Sequence, residues 1–209
     1  RLVALENTMN KGGGSVYDFK EIIKIAAVCK KNKLKLHLDG ARLFNALVES
    51  KETPSDYGTH FDTISICFSK GLGAPVGSVL IGTKDAINKG KRVRKALGGG
   101  MRQAGYLAAA CTYALDHHLD KIKDDHRRAR ILASAIENLP FVSAMYPVQT
   151  NIIIIALKPD RSPQIFLKKL EKKGLLAIGF GKGLIRMVTH LDFNDAQMEK
   201  AIEIFKTLE

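Results

Sequence analysis

Short apolar runs alternate with stretches of helical periodicity over most of this chain, and that alternation restricts it to an α/β architecture. Residues 2–5, 34–38, 63–68 and 76–81 read as strands. Between the first two, residues 18–31 carry Phe19, Ile22, Ile23, Ala26 and Ala27 at the spacing of an amphipathic helix, with Asp18 as its N-cap. A short helix is expected over 41–49. Too little chain joins 63–68 to 76–81 for a helical crossover, so that pair is expected to run antiparallel. The result is a mixed, mostly parallel sheet with helices on both faces.

The character of the chain changes after Gly82. A basic helix over 84–97 stops at the glycines 98–100, an Ala- and Leu-rich run over 103–118 reads as a well-buried helix, and a charged helix over 119–139 ends at Pro140. Beyond it come a strand (150–157), a helix (162–173), two strands (175–178 and 184–189) and a helix (194–208). These expectations divide the chain into the remainder of a large domain, residues 1–140, and a small α+β domain, residues 141–209.

Composition removes several function classes. At 45% hydrophobic and 26% charged residues the chain is neither disordered nor a coiled coil. Its net charge of +12 is spread over several helices, without Trp and with only 7% aromatics, which speaks against a nucleic-acid surface. The longest pure apolar run, 152–157, is far short of the roughly 20 residues that cross a bilayer. Cys29, Cys67 and Cys111 are distant and odd in number, as expected of reduced thiols in an intracellular, cytoplasmic protein, and Cys67 reads as a packing residue. The chain opens without Met directly at a buried strand, which reads as a truncation.

Two polar strings fall at the carboxyl ends of strands, where open α/β sheets bind ligands. One is His37-Leu38-Asp39-Gly40-Ala41-Arg42, and the other is Ser69-Lys70-Gly71-Leu72-Gly73-Ala74-Pro75-Val76-Gly77. A desolvated lysine forms Schiff bases, and a carboxylate holds a pyridine nitrogen protonated, so Asp39 and Lys70 could serve a pyridoxal cofactor. Asp39 could equally be a turn residue and Lys70 a solvated loop residue. The loop lacks the GxxxxGK[ST] order of a nucleotide-binding turn.

The strings LENTMNKGGGSVY, HLDGARLFNA, SICFSKGLGAPVGS, RKALGGGMRQAG and IRMVTHLD, in this order, resemble the successive motifs of the threonine aldolase family. That family lies within the aminotransferase-like fold type I of pyridoxal-phosphate (PLP) enzymes and splits β-hydroxy-α-amino acids into glycine and an aldehyde. The resemblance implies that Lys70 carries PLP, Asp39 pairs with its ring nitrogen, Arg42 lies on the ring-hydroxyl side and Ser69 helps hold the phosphate. It also implies that Lys95 and Arg102 reach the site from a neighbouring subunit of a homodimer or homotetramer, and that Arg186 takes the substrate carboxylate. No residue stands out as general base; His190, near Arg186, is the foremost of six histidines. Met9 stands where the family's ENTHN string has a histidine, and the Gly-rich phosphate turn and ring-stacking histidines of the family's amino-terminal part are not found. Gly12–Gly14 reads as a connector rather than that turn. Another fold type I enzyme, a β-eliminating lyase or a hydroxymethyl transferase, or an inactive remnant that keeps an oligomerisation surface, remain as alternatives.

Overall fold

The structure is a computed structural model that describes residues 1–208. The chain divides into two compact units, one of Arg1–Thr8 and Val16–Asp120, the other of Met9–Ser15 and the residues from Lys121 onward.

The first unit is built on β1 (Leu2–Glu6), β2 (Lys35–Asp39), β3 (Thr63–Cys67) and β4 (Ser78–Gly82), which lie side by side in chain order. The first three run parallel, and β4 runs antiparallel to β3, as the short connection requires. Five helices accompany them: α1 (Phe19–Lys31), α2 (Leu43–Glu49), α3 (Pro54–His60), α4 (Lys84–Ala96) and α5 (Gly105–His118). Asp18 caps α1 by accepting the Lys20 N–H, and the helix buries Ile22 and Cys29. The helix α3 was not expected from periodicity, because Tyr57 is its one buried residue. Local chemistry makes it: Thr53 and Asp56 form a reciprocal capping box, with Pro54 in the first turn. Tyr57 then packs on Phe19 and Phe61, and its hydroxyl accepts the Asn7 side-chain N–H at 2.9 Å.

The expectation of a well-buried helix over 103–118 is corrected. Only Ala114 of α5 is buried, and Tyr106 is 86% exposed. An Ala-rich composition lowers the cost of helix formation but does not dictate what covers the helix. The helix α4 has no buried residue at all, and the apolar Val79, Leu80 and Ile81 of β4 are exposed.

The second unit contains α6 (Ile122–Ile136), β5 (Val142–Met145), β6 (Ile152–Leu157), α7 (Pro163–Lys172), β7 (Ile178–Gly179), β8 (Leu184–Val188) and α8 (Asp195–Lys206). Its sheet has the order β5-β6-β8-β7 and is antiparallel throughout. Ile152, Ile153, Ile154 and Ile155 are all fully buried, so β6 is covered on both faces, each side chain contributing roughly 1.5–3 kcal/mol. One face meets α6, α7 and α8 in a core that includes Ile136, Phe141, Leu170 and Phe205. The other lies under the glycine segment: Thr150 Oγ1 donates to the Gly14 carbonyl at 2.8 Å, and a Cβ on Gly13 would lie 3.3 Å from Tyr146. Positive φ angles at both glycines allow this close approach.

The helix α6 groups with this unit, whereas the expected division placed it before residue 141. Buried hydrogen bonds account for that: Thr189 Oγ1 donates to the Asp125 carbonyl at 2.7 Å, and Asn151 Nδ2 donates to the Thr189 carbonyl at 2.9 Å. The Asp125 carboxyl is itself buried, and desolvation pushes its pKa up to about 6, against the opposing pull of Arg128. An acid whose pKa rises on folding stabilises the fold fully below its unfolded value and loses that contribution as pH climbs through about 6. Asp125→Asn is therefore expected to flatten the fall in melting temperature between about pH 4 and 7. It should be more stable than the parent at pH 8, by on the order of 1–3 kcal/mol. Parallel melting curves across pH check this, and identical slopes for parent and variant would contradict it. Among the described residues no helix is long and apolar enough to cross a membrane.

Candidate functional site

The sheet of the first unit brings three polar segments to one end. Glu6, Asp39 and Ser65 lie in register on β1, β2 and β3, so the residues that follow each strand leave from the same carboxyl edge. Gly40 turns the chain away from β2 with its N–H on the Ser65 carbonyl at 2.9 Å. A Cβ at this position would lie 2.9 Å from that same oxygen, so no other residue fits without displacing backbone. Asp39 is exposed and its Oδ1 accepts the Ala41 N–H at 3.1 Å. The second carboxylate oxygen accepts no hydrogen bond among the described residues. Arg42 follows, half-buried at the head of α2.

Lys70 lies three residues past β3, in a loop whose shape is set by its own backbone. The Phe68 N–H reaches the Gly77 carbonyl, the Gly73 N–H reaches the Lys70 carbonyl, and the Ala74 N–H reaches the Phe68 carbonyl, each at 2.9–3.0 Å. Gly73 and Gly77 take the positive φ angles this path needs, and Leu72 and Ala74 are buried as its anchors. The Lys70 side chain is exposed. Ser69 Oγ lies 3.4 Å from Cys67 Sγ. Burial pushes the Cys67 thiol up, but the hydrogen bonds of Ser69 and Ser78, with the charge of Lys70, bring it below its usual value. Cys67 thus feels the lysine's positive charge.

Thr8, two residues past β1 on the same edge, is 1% exposed, and its Oγ1 has no hydrogen-bond partner. A buried hydroxyl left unsatisfied costs about 1–3 kcal/mol, and a polar ligand group would remove that cost. An exposed carboxylate, an exposed lysine and hydroxyls at adjacent strand ends form a donor and acceptor set that suits a phosphorylated pyridine aldehyde.

Lys95, on α4, and Arg102, beyond it, are exposed. Neither forms a hydrogen bond or ion pair with Asp39 or Lys70 among the described residues, so the geometry does not gather them with that pair.

In the second unit Arg186 projects from the face of β8 opposite the core, facing Ile154 on one side and Ile178 on the other. Its guanidinium lies over the Phe180 ring, 5.4 Å from the centroid. The Nε atom is buried without a hydrogen-bond partner, and desolvation pushes the group's pKa below its ordinary value. No ion pair involves Arg186 among the described residues. A half-buried cation with apolar and aromatic neighbours carries a desolvation cost that an anionic partner would offset.

The histidines fall into place differently. His37 bonds Thr63 Oγ1 at 2.8 Å, His60 sits edge-on to Phe19, and His126 is fully buried, all structural settings. His190 is exposed, and its Nδ1 accepts the Asp192 N–H at 3.3 Å, which places the ring proton on Nε2. Phe180, beneath Arg186, was missed by sequence reasoning, and His118, one of the six histidines weighed as general base, was not expected to meet the lysine loop. Their contacts arise from strand register and from a backbone carbonyl, neither of which leaves a motif.

A family model described as beta-eliminating lyase matches residues 1–158. Over 209 residues the chain is 36% identical to the low-specificity L-threonine aldolase 1 of Arabidopsis thaliana, covering 99% of this chain and 58% of that protein. Over 183 residues it is 39% identical to the low specificity L-threonine aldolase of Saccharomyces cerevisiae, covering 86% of this chain and 46% of that one. The chain therefore spans about half the length of these relatives. Among solved structures, the threonine aldolase of Leishmania major superposes with a TM-score of 0.79 at 23% identity, over 99% of this chain and 60% of that chain. The histidinol-phosphate aminotransferase of Clostridium acetobutylicum does so with a TM-score of 0.71 at 15% identity, over 97% of this chain and 62% of that one. The fold is thus the aminotransferase-like type I fold expected from the motifs.

Proposed function

Because the chain belongs to the beta-eliminating lyase family, we propose that it carries the cofactor lysine of a PLP-dependent aldehyde-lyase. Its substrates are β-hydroxy-α-amino acids of the threonine and allo-threonine type, and its products are glycine and an aldehyde. The observation that carries this reading is the placement of Asp39 and Lys70 at the carboxyl ends of adjacent, register-matched strands.

When bound, PLP supplies an electron sink for the pair left at Cα as the Cα–Cβ bond breaks. The protein's own residues do the rest. Asp39, whose second carboxylate oxygen is unengaged among the described residues, would pair with the ring nitrogen and keep a proton there. Lys70, exposed in its loop, would hold the cofactor through its side-chain amine. Arg42 would lie towards the cofactor's ring hydroxyl, and Ser69 would help hold its phosphate. Arg186 receives the substrate carboxylate, which sets which Cα bond is aligned for cleavage. The general base that takes the β-hydroxyl proton is unassigned.

A shared-site homodimer or homotetramer belongs to the same proposal, with Lys95 and Arg102 supplied to a neighbouring subunit's site. The exposure of Leu97 (82%), Met101 (61%) and Tyr106 (86%) around these two residues supports it. An intracellular, cytoplasmic setting is proposed on the three cysteines, none of which is in a disulfide. The second reading, β-elimination from an amino acid, is favoured by the description of the family model. Incubating the native protein with threonine and PLP distinguishes them: glycine and acetaldehyde support the aldolase, ammonia and a keto acid the eliminating lyase, and no product the inactive remnant.

Asp39→Asn is expected to keep the cofactor bound while kcat falls by about a hundredfold or more, about 2.7 kcal/mol in the barrier. A neutral amide no longer favours the protonated ring. Visible absorbance and steady-state kinetics on the same preparation measure both, and a near-parental kcat would reduce Asp39 to a strand-end cap.

A further inference from the structure

The helix α5 is exposed along most of its length, yet one stripe of it meets the lysine loop. Cys111, Ala114 and His118 fall at i, i+3 and i+7, one face of a helix. Ala114, in the middle, is the one buried residue of α5. At one end Cys111 Sγ lies 3.6 Å from the Val76 carbonyl, and a Cβ on Gly77 would come within 3.2 Å of that sulfur. At the other end His118 Nδ1 lies 2.6 Å from the Leu72 carbonyl, a short contact in a part-buried setting. A carbonyl oxygen only accepts, so Nδ1 is the donor and carries the proton. Tyr113 meets the imidazole edge-on at 5.6 Å, restricting its rotation.

The backbone–backbone hydrogen bonds that shape the loop, Phe68 N–H to Gly77, Gly73 N–H to Lys70 and Ala74 N–H to Phe68, run within it. They define its curvature, while the buried Leu72 and Ala74 side chains, the approach of Asn45 to Gly71, and α5 hold it to the body of the fold. The carbonyl that His118 holds is two residues from Lys70 and sits inside the turn closed by Gly73 N–H on the Lys70 carbonyl. A shift of Leu72 therefore moves the backbone from which the lysine projects. We infer that His118 is a positioning residue: through its Nδ1–H it fixes the Lys70 loop against α5, so that the lysine amine and Asp39 address the same ligand. The inference rests on the reading of Lys70 as the cofactor lysine.

Side-chain geometry gives a sharp test. The amide nitrogen of Asn reaches where Nδ1 of His sits, while that of Gln reaches the position of Nε2. His118→Asn should therefore keep the anchor, and His118→Gln and His118→Leu should lose it. The first readout is hydrogen exchange of the loop amides, Gly73 and Ala74 above all, on the native protein without cofactor. Protection should fall roughly tenfold in the Gln and Leu variants and stay within about twofold of parental in the Asn variant. The second is the dissociation constant for PLP, which should rise roughly tenfold in the Gln and Leu variants and hold at the parental value in His118→Asn. Unchanged loop protection in His118→Leu would overturn the inference, as would equal losses in all three variants. If the Leu variant does not fold, the contrast between Asn and Gln decides by itself. Lys70→Ala separates the premise: cofactor attachment at another lysine would sink the reading of Lys70 and the inference with it. A loss of attachment in Lys70→Ala beside unaltered exchange in the His118 variants would leave the reading standing and sink the positioning role alone.

Discussion

Lys70→Ala in the native protein is expected to abolish the visible absorbance of bound PLP and to lower turnover by at least about three orders of magnitude. The size follows from what is removed. No neighbouring lysine lies in the loop from Phe68 to Gly77, and without an amine there the aldehyde has no covalent partner. Lys70→Arg should fail as completely, since a guanidinium stays protonated and cannot act as the nucleophile. Stability should not follow activity: Lys70 is exposed, and exposed substitutions without partners shift stability by about 0.5 kcal/mol or less. Borohydride reduction and peptide mapping give the direct measurement, with the label expected on Lys70. A label on any other lysine, or a variant that still turns over, would remove Lys70 from the chemistry.

How much of this was legible before the structure depended on where each signal is stored. The parallel strands and their order of helices are written in side-chain periodicity, so β1 to β4 and α1 fall close to their expected spans. Asp39 and Lys70 were visible because each ends an apolar run, and the register of β2 with β3 brings those ends together. The helix α3 was hidden because a capping box and a proline form it with a single buried side chain. Only four residues long, β5 carries too few positions for any pattern. The exposure of α5 could not be read from its run of small apolar residues, Ala108, Ala109 and Ala110, since burial depends on what packs outside the helix rather than on its composition. The contacts of His118 and Phe180 were invisible for a different reason. One acts on a backbone carbonyl 46 positions away, and the other on an arginine brought over it by the β7–β8 hairpin. A carbonyl has no residue identity, and hairpin register is a property of the folded turn.

Arg186→Ala is expected to weaken use of threonine by about 2–5 kcal/mol in kcat/KM, because the substrate carboxylate would be left without its partner. Each charge-assisted hydrogen bond it could make is worth roughly 1.5–3 kcal/mol, and a guanidinium can make two to one carboxylate. Arg186 Nε is buried without a hydrogen-bond partner among the described residues, desolvation disfavours its charge, and the Phe180 face lies against the guanidinium. Removing such a group relieves a cost to the fold rather than adding one, so the melting temperature of Arg186→Ala should hold or rise slightly. Arg186→Lys should recover only part of the loss, because a point charge cannot supply the paired donors and stacks less well on Phe180. PLP affinity should be unchanged in both variants. Steady-state kinetics beside melting curves read all of these effects. A marked fall in melting temperature with KM for threonine unchanged would instead make Arg186 a fastening of the β7–β8 hairpin, and would take it out of substrate recognition.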